Sequence, residues 1–196
     1  KIEEDLIEEV ARIYGYNKFP KTFPSGETPT QTIPYFVDYS LSEKVKQILA
    51  GAGYTEVATY SLLSEDSLRK FGFQPEAALK ITNPISQEFE YLRPTLVSNL
   101  LSAVFLNQPN FEKIKIFELG KVYLQKGNKW EEKIRLTGVS TEEFFRVKGV
   151  VELIFGELGI SGVSFKHDVK NGTLFHPART AILETRREVL GIIGEI

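Results

Sequence analysis

The chain has 196 residues, 42% hydrophobic and 26% charged, with a formal net charge of −2 and a sequence pI of about 5.9. A chain of this size buries a sizeable core without staples, and its lack of cysteine excludes disulfides and thiolate zinc sites. The acidic balance argues against a domain that grips nucleic acid by a broad basic face, and no apolar run approaches the roughly 20 residues of a membrane span.

The acidic opening over residues 1–5 is unlike a secretory signal, and the absence of cysteine suits a cytoplasmic location. Residues 2–16 predict an amphipathic helix. Leu6, Ile7, Val10, Ala11, Ile13 and Tyr14 share one face, Asp5, Glu8, Glu9 and Arg12 share the other, and Gly15 is the stop. Pro20, Pro24, Pro29 and Pro34 then forbid a helix and predict an extended linker over 20–34.

Helices and strands alternate from residue 35 onward. A helix is expected over 41–50, ended by Gly51 and Gly53, then a strand over 55–61. Ser64 reads as the N-cap of a short helix ending near Gly72, with Glu65 and Asp66 in its first turn. A short strand is expected at 79–81. The most apolar helix covers 95–107, with Leu96, Val97, Leu100, Leu101, Val104 and Phe105. Strands follow at 115–119, 121–125 and 133–139, with Gly127-Asn128 as the turn between the last two. A long helix is expected over 142–158, and strands at 163–167, 180–184 and 188–193. Short turns between strand pairs imply antiparallel pairing, so the fold class is α+β: a mainly antiparallel sheet of about six strands flanked by helices. Within the expected strand 55–61, residues 57–60 carry no charge on either face, which predicts burial on both.

Catalytic signatures are sparse. His167 and His176 are the only histidines; there is no G-x-S-x-G elbow to pair with them and no phosphate loop. His176 in its loop is expected to satisfy nearby backbone groups. One cluster has metal-ligand character: Asp5, Glu8 and Glu9 stand at i, i+3 and i+4, which puts three carboxylates on one helical turn. Arg12, three residues after Glu9 and four after Glu8, supports a competing reading as a solvated, ion-paired face. The absence of methionine, with a start inside a helical pattern and a finish inside a strand pattern, gives the expectation of a piece of a longer chain.

Several blocks of sequence carry a resemblance. They are IEEDLIEEVARIYGY (2–16), ITNPISQEFEYLRPTLVSNLL (81–101), IKIFELGKVY (114–123), FFRVKG (144–149), FHPART (175–180) and VLGIIGE (189–195). In this order they resemble the bacterial-type phenylalanine–tRNA ligase beta subunit. The resemblance implies three parts: the C-terminal end of a small metal-binding (B5-like) domain at 1–19, the linker at 20–34, and a class II aminoacyl-tRNA synthetase-like, non-catalytic core at 35–196. That family usually has a longer segment where only Ser140 and Thr141 stand here.

Class II synthetases grip the ATP α-phosphate with an arginine in a Phe-Arg-x-Glu stretch, since a guanidinium neutralises phosphate charge bidentately. The matching stretch here is Tyr123-Leu124-Gln125-Lys126, so leucine stands for the arginine and lysine for the acid. The resemblance therefore implies no catalytic or ATP-binding residue in this chain. It implies a partner, the catalytic alpha subunit, in an assembly of two alpha and two beta chains. The complete enzyme uses ATP and meets tRNA. The resemblance also implies a Mg²⁺ ion in the complete subunit, with Asp5, Glu8 and Glu9 among its ligands beside an aspartate preceding this helix. The alternative reading is a self-contained class II-type ligase, which would need the missing arginines.

Overall fold

The computed structural model describes residues 2–23, 25–26, 39–127, 129–167 and 174–196. Most of the expected linker, the first residues of the expected core (35–38) and Asn128 of the expected turn lie outside the described residues. The chain divides into two compact units, Lys1–Val37 and Asp38–Ile196.

The first unit holds α1 (Glu3–Tyr14). Its start is set by charge and a cap: Glu3, Glu4 and Asp5 fill the first turn, and the Ile2 N–H donates to Asp5 Oδ2 at 2.9 Å. Its end comes before the expected Tyr16, because Gly15 turns out of the helix at φ +98° while its N–H donates to Ala11 O at 2.9 Å. Leu6, Ile7, Val10 and Ile13 of the apolar stripe are exposed.

The second unit begins with α2 (Tyr39–Gly51), then β1 (Thr55–Glu56), β2 (Leu62–Leu63), α3 (Glu65–Lys70), β3 (Tyr91–Leu92) and α4 (Val97–Asn107). It continues with β4 (Lys115–Lys126), β5 (Lys129–Ser140), α5 (Phe144–Glu157), β6 (Ser164–His167), β7 (Thr180–Glu184) and β8 (Val189–Gly194). Ser64 caps α3 as expected, its Oγ accepting the Ser67 N–H at 3.1 Å. The class is α+β with mostly antiparallel pairing, but the strands of the described residues form three sheets where one was expected. The central sheet runs β1-β4-β5, with β1 parallel to β4 and β4 antiparallel to β5 along its whole length. β2 pairs with β3, and β6-β7-β8 form an antiparallel sheet.

Three sequence expectations change for identifiable reasons. The segments 115–119 and 121–125 are one strand, since Gly120 keeps the pleat opposite Arg135. The expected strand at 79–81 reduces to a single bridge between Lys80 and Tyr91. The expected strand over 55–61 ends at Glu56, because the Thr59 and Tyr60 carbonyls are taken by side chains.

Period-2 alternation in β4 builds the core on both sides of the central sheet. Val122 of β4 packs against Leu96 and Leu100, with Ile116 and Leu124 beside them. On the opposite face Phe117 meets Val45 and Leu49 of α2 and Tyr54. α5 serves two clusters through two stripes. Val150, Ile154 and Leu158 join the Phe117 cluster, and Phe144, Val147, Val151 and Phe155 cover the β6-β7-β8 sheet. Leu96, Leu100 and Val122 are almost wholly buried, and each such aliphatic side chain stabilises the fold by about 1.5–3 kcal/mol. No described helix is long and apolar enough to cross a membrane.

Candidate functional site

The stretch 123–126, which the resemblance sets against the phosphate-gripping arginine, lies at the far end of β4. Leu124 is half-buried and packs with the Leu96–Leu100–Val122 cluster. Its side chain serves the core and offers no charge to a phosphate. The cations nearby are balanced within the hairpin: Lys121 Nζ lies 2.6 Å from Glu132 Oε1, and Lys126 Nζ 3.8 Å from Glu131 Oε2. The hydrogen bond to Glu132 holds the Lys121 ammonium above its ordinary value. Lys121 and Lys126 thus each face a carboxylate of the opposite strand.

The acidic set on α1 is engaged locally. Asp5 accepts the Ile2 N–H as a cap, and Glu9 is paired with Arg12. Among the described residues, no three acidic or imidazole side chains are gathered to hold a metal ion. As they stand, Asp5, Glu8 and Glu9 do not by themselves fit a Mg²⁺ site. His176 does what the loop reading expects: its Nδ1 accepts the Ala178 N–H at 3.2 Å, while the His176 backbone N–H donates to Glu195 O at 2.7 Å.

The most built polar arrangement was not singled out from sequence. Arg93 and Glu118 are 3% and 4% exposed. Arg93 Nη1 donates to Glu118 Oε1 at 2.8 Å and to Thr59 Oγ1 at 2.9 Å, and Arg93 Nε donates to Lys121 O at 2.8 Å. The Thr59 hydroxyl donates in turn to Glu118 Oε2 at 2.6 Å. Gly120 leaves the space for this: a Cβ there would stand 2.6 Å from Arg93 Nη2 and 2.9 Å from Glu118 Oε1. The signal was present as a lone acid inside the apolar run Ile116-Phe117-Glu118-Leu119, which demands a buried cation.

Beside this network, residues 57–60 are not buried on both faces within the chain itself. Val57 and Thr59 are half-buried, whereas Ala58 is exposed and Tyr60 is 74% exposed. The Tyr60 ring packs on Phe89 with centroids 5.4 Å apart, and Ile85 stands fully in solvent nearby in sequence. Tyr60 is therefore an exposed aromatic on a segment that the buried ion pair holds.

Similarity to solved structures defines the class. The chain is similar to pyrrolysyl-tRNA synthetase from Desulfitobacterium hafniense, with TM-scores of 0.63 and 0.62 to two structures. In the first, 78% of this chain and 56% of that one are covered at 19% sequence identity, so the likeness is one of fold. The second unit has a class II aminoacyl-tRNA synthetase-like architecture.

The family is narrower than the fold. Residues 19–196 match the family described as the phenylalanyl tRNA synthetase beta chain CLM domain. The whole chain is 33% identical to the phenylalanine–tRNA ligase beta subunit of Geobacillus kaustophilus and 38% identical to that of Halalkalibacterium halodurans. The chain belongs to the phenylalanyl-tRNA synthetase beta-chain family. It spans 26% of the length of those two relatives.

Proposed function

We propose that this chain is the synthetase-like, non-catalytic module of a beta subunit, and that it supports assembly with a catalytic alpha subunit. The assembly would contain two alpha and two beta chains, work in the cytoplasm, and use ATP to attach phenylalanine to its tRNA. The observation that supports the reading is Leu124, a side chain packed on the core within the stretch that the resemblance sets against the phosphate-binding arginine. An enzyme of this class stabilises charge on the transferring phosphates with pre-placed cations. Here the adjacent cations are already paired within the hairpin.

The surface of exposed Tyr60, backed by half-buried Phe89, is the proposed contact with the alpha subunit, since large aromatic side chains anchor protein interfaces. Mg²⁺ binding through Asp5, Glu8 and Glu9 is proposed only for the longer chain, where Arg12 would have to release Glu9 and further ligands would have to join.

ATP–pyrophosphate exchange tests the non-catalytic reading. The chain alone is expected to give none with phenylalanine, and the alpha subunit, when added, is expected to co-elute with it. Robust exchange by the chain alone overturns the proposal.

A further inference from the structure

Segment 57–61 is held in an unusual way. The Val57 N–H still donates to Phe117 O at 2.8 Å, in continuation of the sheet. Beyond it the carbonyls turn to other partners. Thr59 O accepts from Arg93 Nη1 at 3.3 Å, and Tyr60 O accepts from Asn99 Nδ2 at 3.0 Å. Ser61 O accepts the Arg93 backbone N–H at 2.9 Å. Thr59 is held by its side chain as well, between Arg93 Nη1 at 2.9 Å and Glu118 Oε2 at 2.6 Å.

A buried ion pair is a poor device for stability alone, because desolvation offsets most of the attraction. Its advantage is direction. A guanidinium donates along fixed lines, and here those lines run to a carboxylate on β4, a carbonyl on β4 and both oxygens of Thr59. Thr59 is thereby pinned in the interior while its neighbour Tyr60 is 74% exposed. Asn99 fixes the Tyr60 carbonyl from the other side. With the backbone fixed on both flanks, the Tyr60 ring has little freedom beyond its rotamers.

We infer that Arg93, Glu118, Thr59 and Asn99 are positioning residues which fix segment 57–61 and so present Tyr60 to the partner subunit. The inference rests on the reading that the Tyr60 surface meets the alpha subunit. It assigns a role in recognition to side chains that touch no partner themselves. Pre-organisation of this kind raises affinity by removing the cost of ordering the contact when it forms.

A double-mutant cycle in the full-length beta subunit tests it, reading association with the alpha subunit. Thr59→Val keeps the branched shape and removes the hydroxyl. Asn99→Asp removes the donor at an exposed site, and keeps the test available should Thr59→Val fail to fold. Tyr60→Ala is expected to weaken association on the order of tenfold. Either positioning variant alone is expected to weaken it severalfold, and either combined with Tyr60→Ala is expected to do no more than Tyr60→Ala alone. Thr59→Ser, which restores the hydroxyl, is expected to associate as the parent does. Fully additive losses in both cycles overturn the inference while leaving the docking reading in place. Unchanged association of Tyr60→Ala overturns the docking reading and the inference with it.

Discussion

Gly120→Ala isolates the energetic weight of the buried network. A Cβ at this position would lie 2.6 Å from Arg93 Nη2, 2.9 Å from Glu118 Oε1 and 3.3 Å from Leu96 Cδ2. No real Cβ sits so close to a buried heavy atom, so the guanidinium or the carboxylate must move. Neither has anywhere to go: the two are 3% and 4% exposed, and Arg93 Nε is already tied to Lys121 O at 2.8 Å. Separating a buried pair costs about 3–5 kcal/mol. Against this, alanine in a strand recovers about 0.5–1 kcal/mol of chain entropy relative to glycine. The net expectation is a loss of about 2–4 kcal/mol, measured by equilibrium urea unfolding. Gly138→Ala on the partner strand is the control, since its Cβ would meet Ile116 O and the Tyr54 ring at 3.7 Å, ordinary contact distances. It is expected to cost less than about 1 kcal/mol. A Gly120→Ala loss no larger than that of Gly138→Ala would refute the reasoning.

Glu65 provides a pH test. Hydrogen bonds from Arg69, with a further one from the Tyr91 hydroxyl, hold its carboxyl below the usual range. A depressed folded-state value means that the stabilisation is complete above the unfolded value and is lost as pH falls through the folded one. Glu65→Gln is therefore expected to show a shallower fall in stability below about pH 5 than the parent, in denaturation series at stepped pH; parallel curves would contradict this. Glu9→Ala in a complete alpha–beta enzyme is expected to weaken the Mg²⁺ dependence of thermal stability if the acidic set holds the ion. An unchanged dependence assigns Glu9 to its ion pair with Arg12 alone.

The fold was legible wherever a period was clean. The helices α2, α4 and α5 were readable because their apolar residues recur at helical spacing and pack into the core clusters. Segment 57–61 misled because its pattern is that of a strand while its hydrogen-bond partners, Arg93 and Asn99, lie more than 30 residues away in the chain. No local rule sees a side chain that replaces a ladder. For the same reason Gly120 read as a gap between two strands, although its role is to make room for Arg93. The acidic set on α1 was visible by spacing, but spacing could not decide between metal ligands and a solvated, ion-paired face. The structure gives Asp5 a capping hydrogen bond and Glu9 an arginine. Leu124 was read from the resemblance as a leucine in place of an arginine, and its packing on the core emerges only with the fold.

The central claim is that this module docks on a catalytic alpha subunit through its Tyr60 surface. The most direct measurement compares the association of Tyr60→Asp and Lys129→Asp beta subunits with alpha, after both are verified as folded. Tyr60 is exposed in the chain by itself, so a carboxylate there is tolerated in the free subunit and costs several kcal/mol (roughly) only once a partner buries it. Lys129 stands exposed at the start of β5, where a substitution is worth about 0.5 kcal/mol or less. The account predicts that Tyr60→Asp loses assembly while Lys129→Asp retains it; equal association of the two folded variants would contradict it.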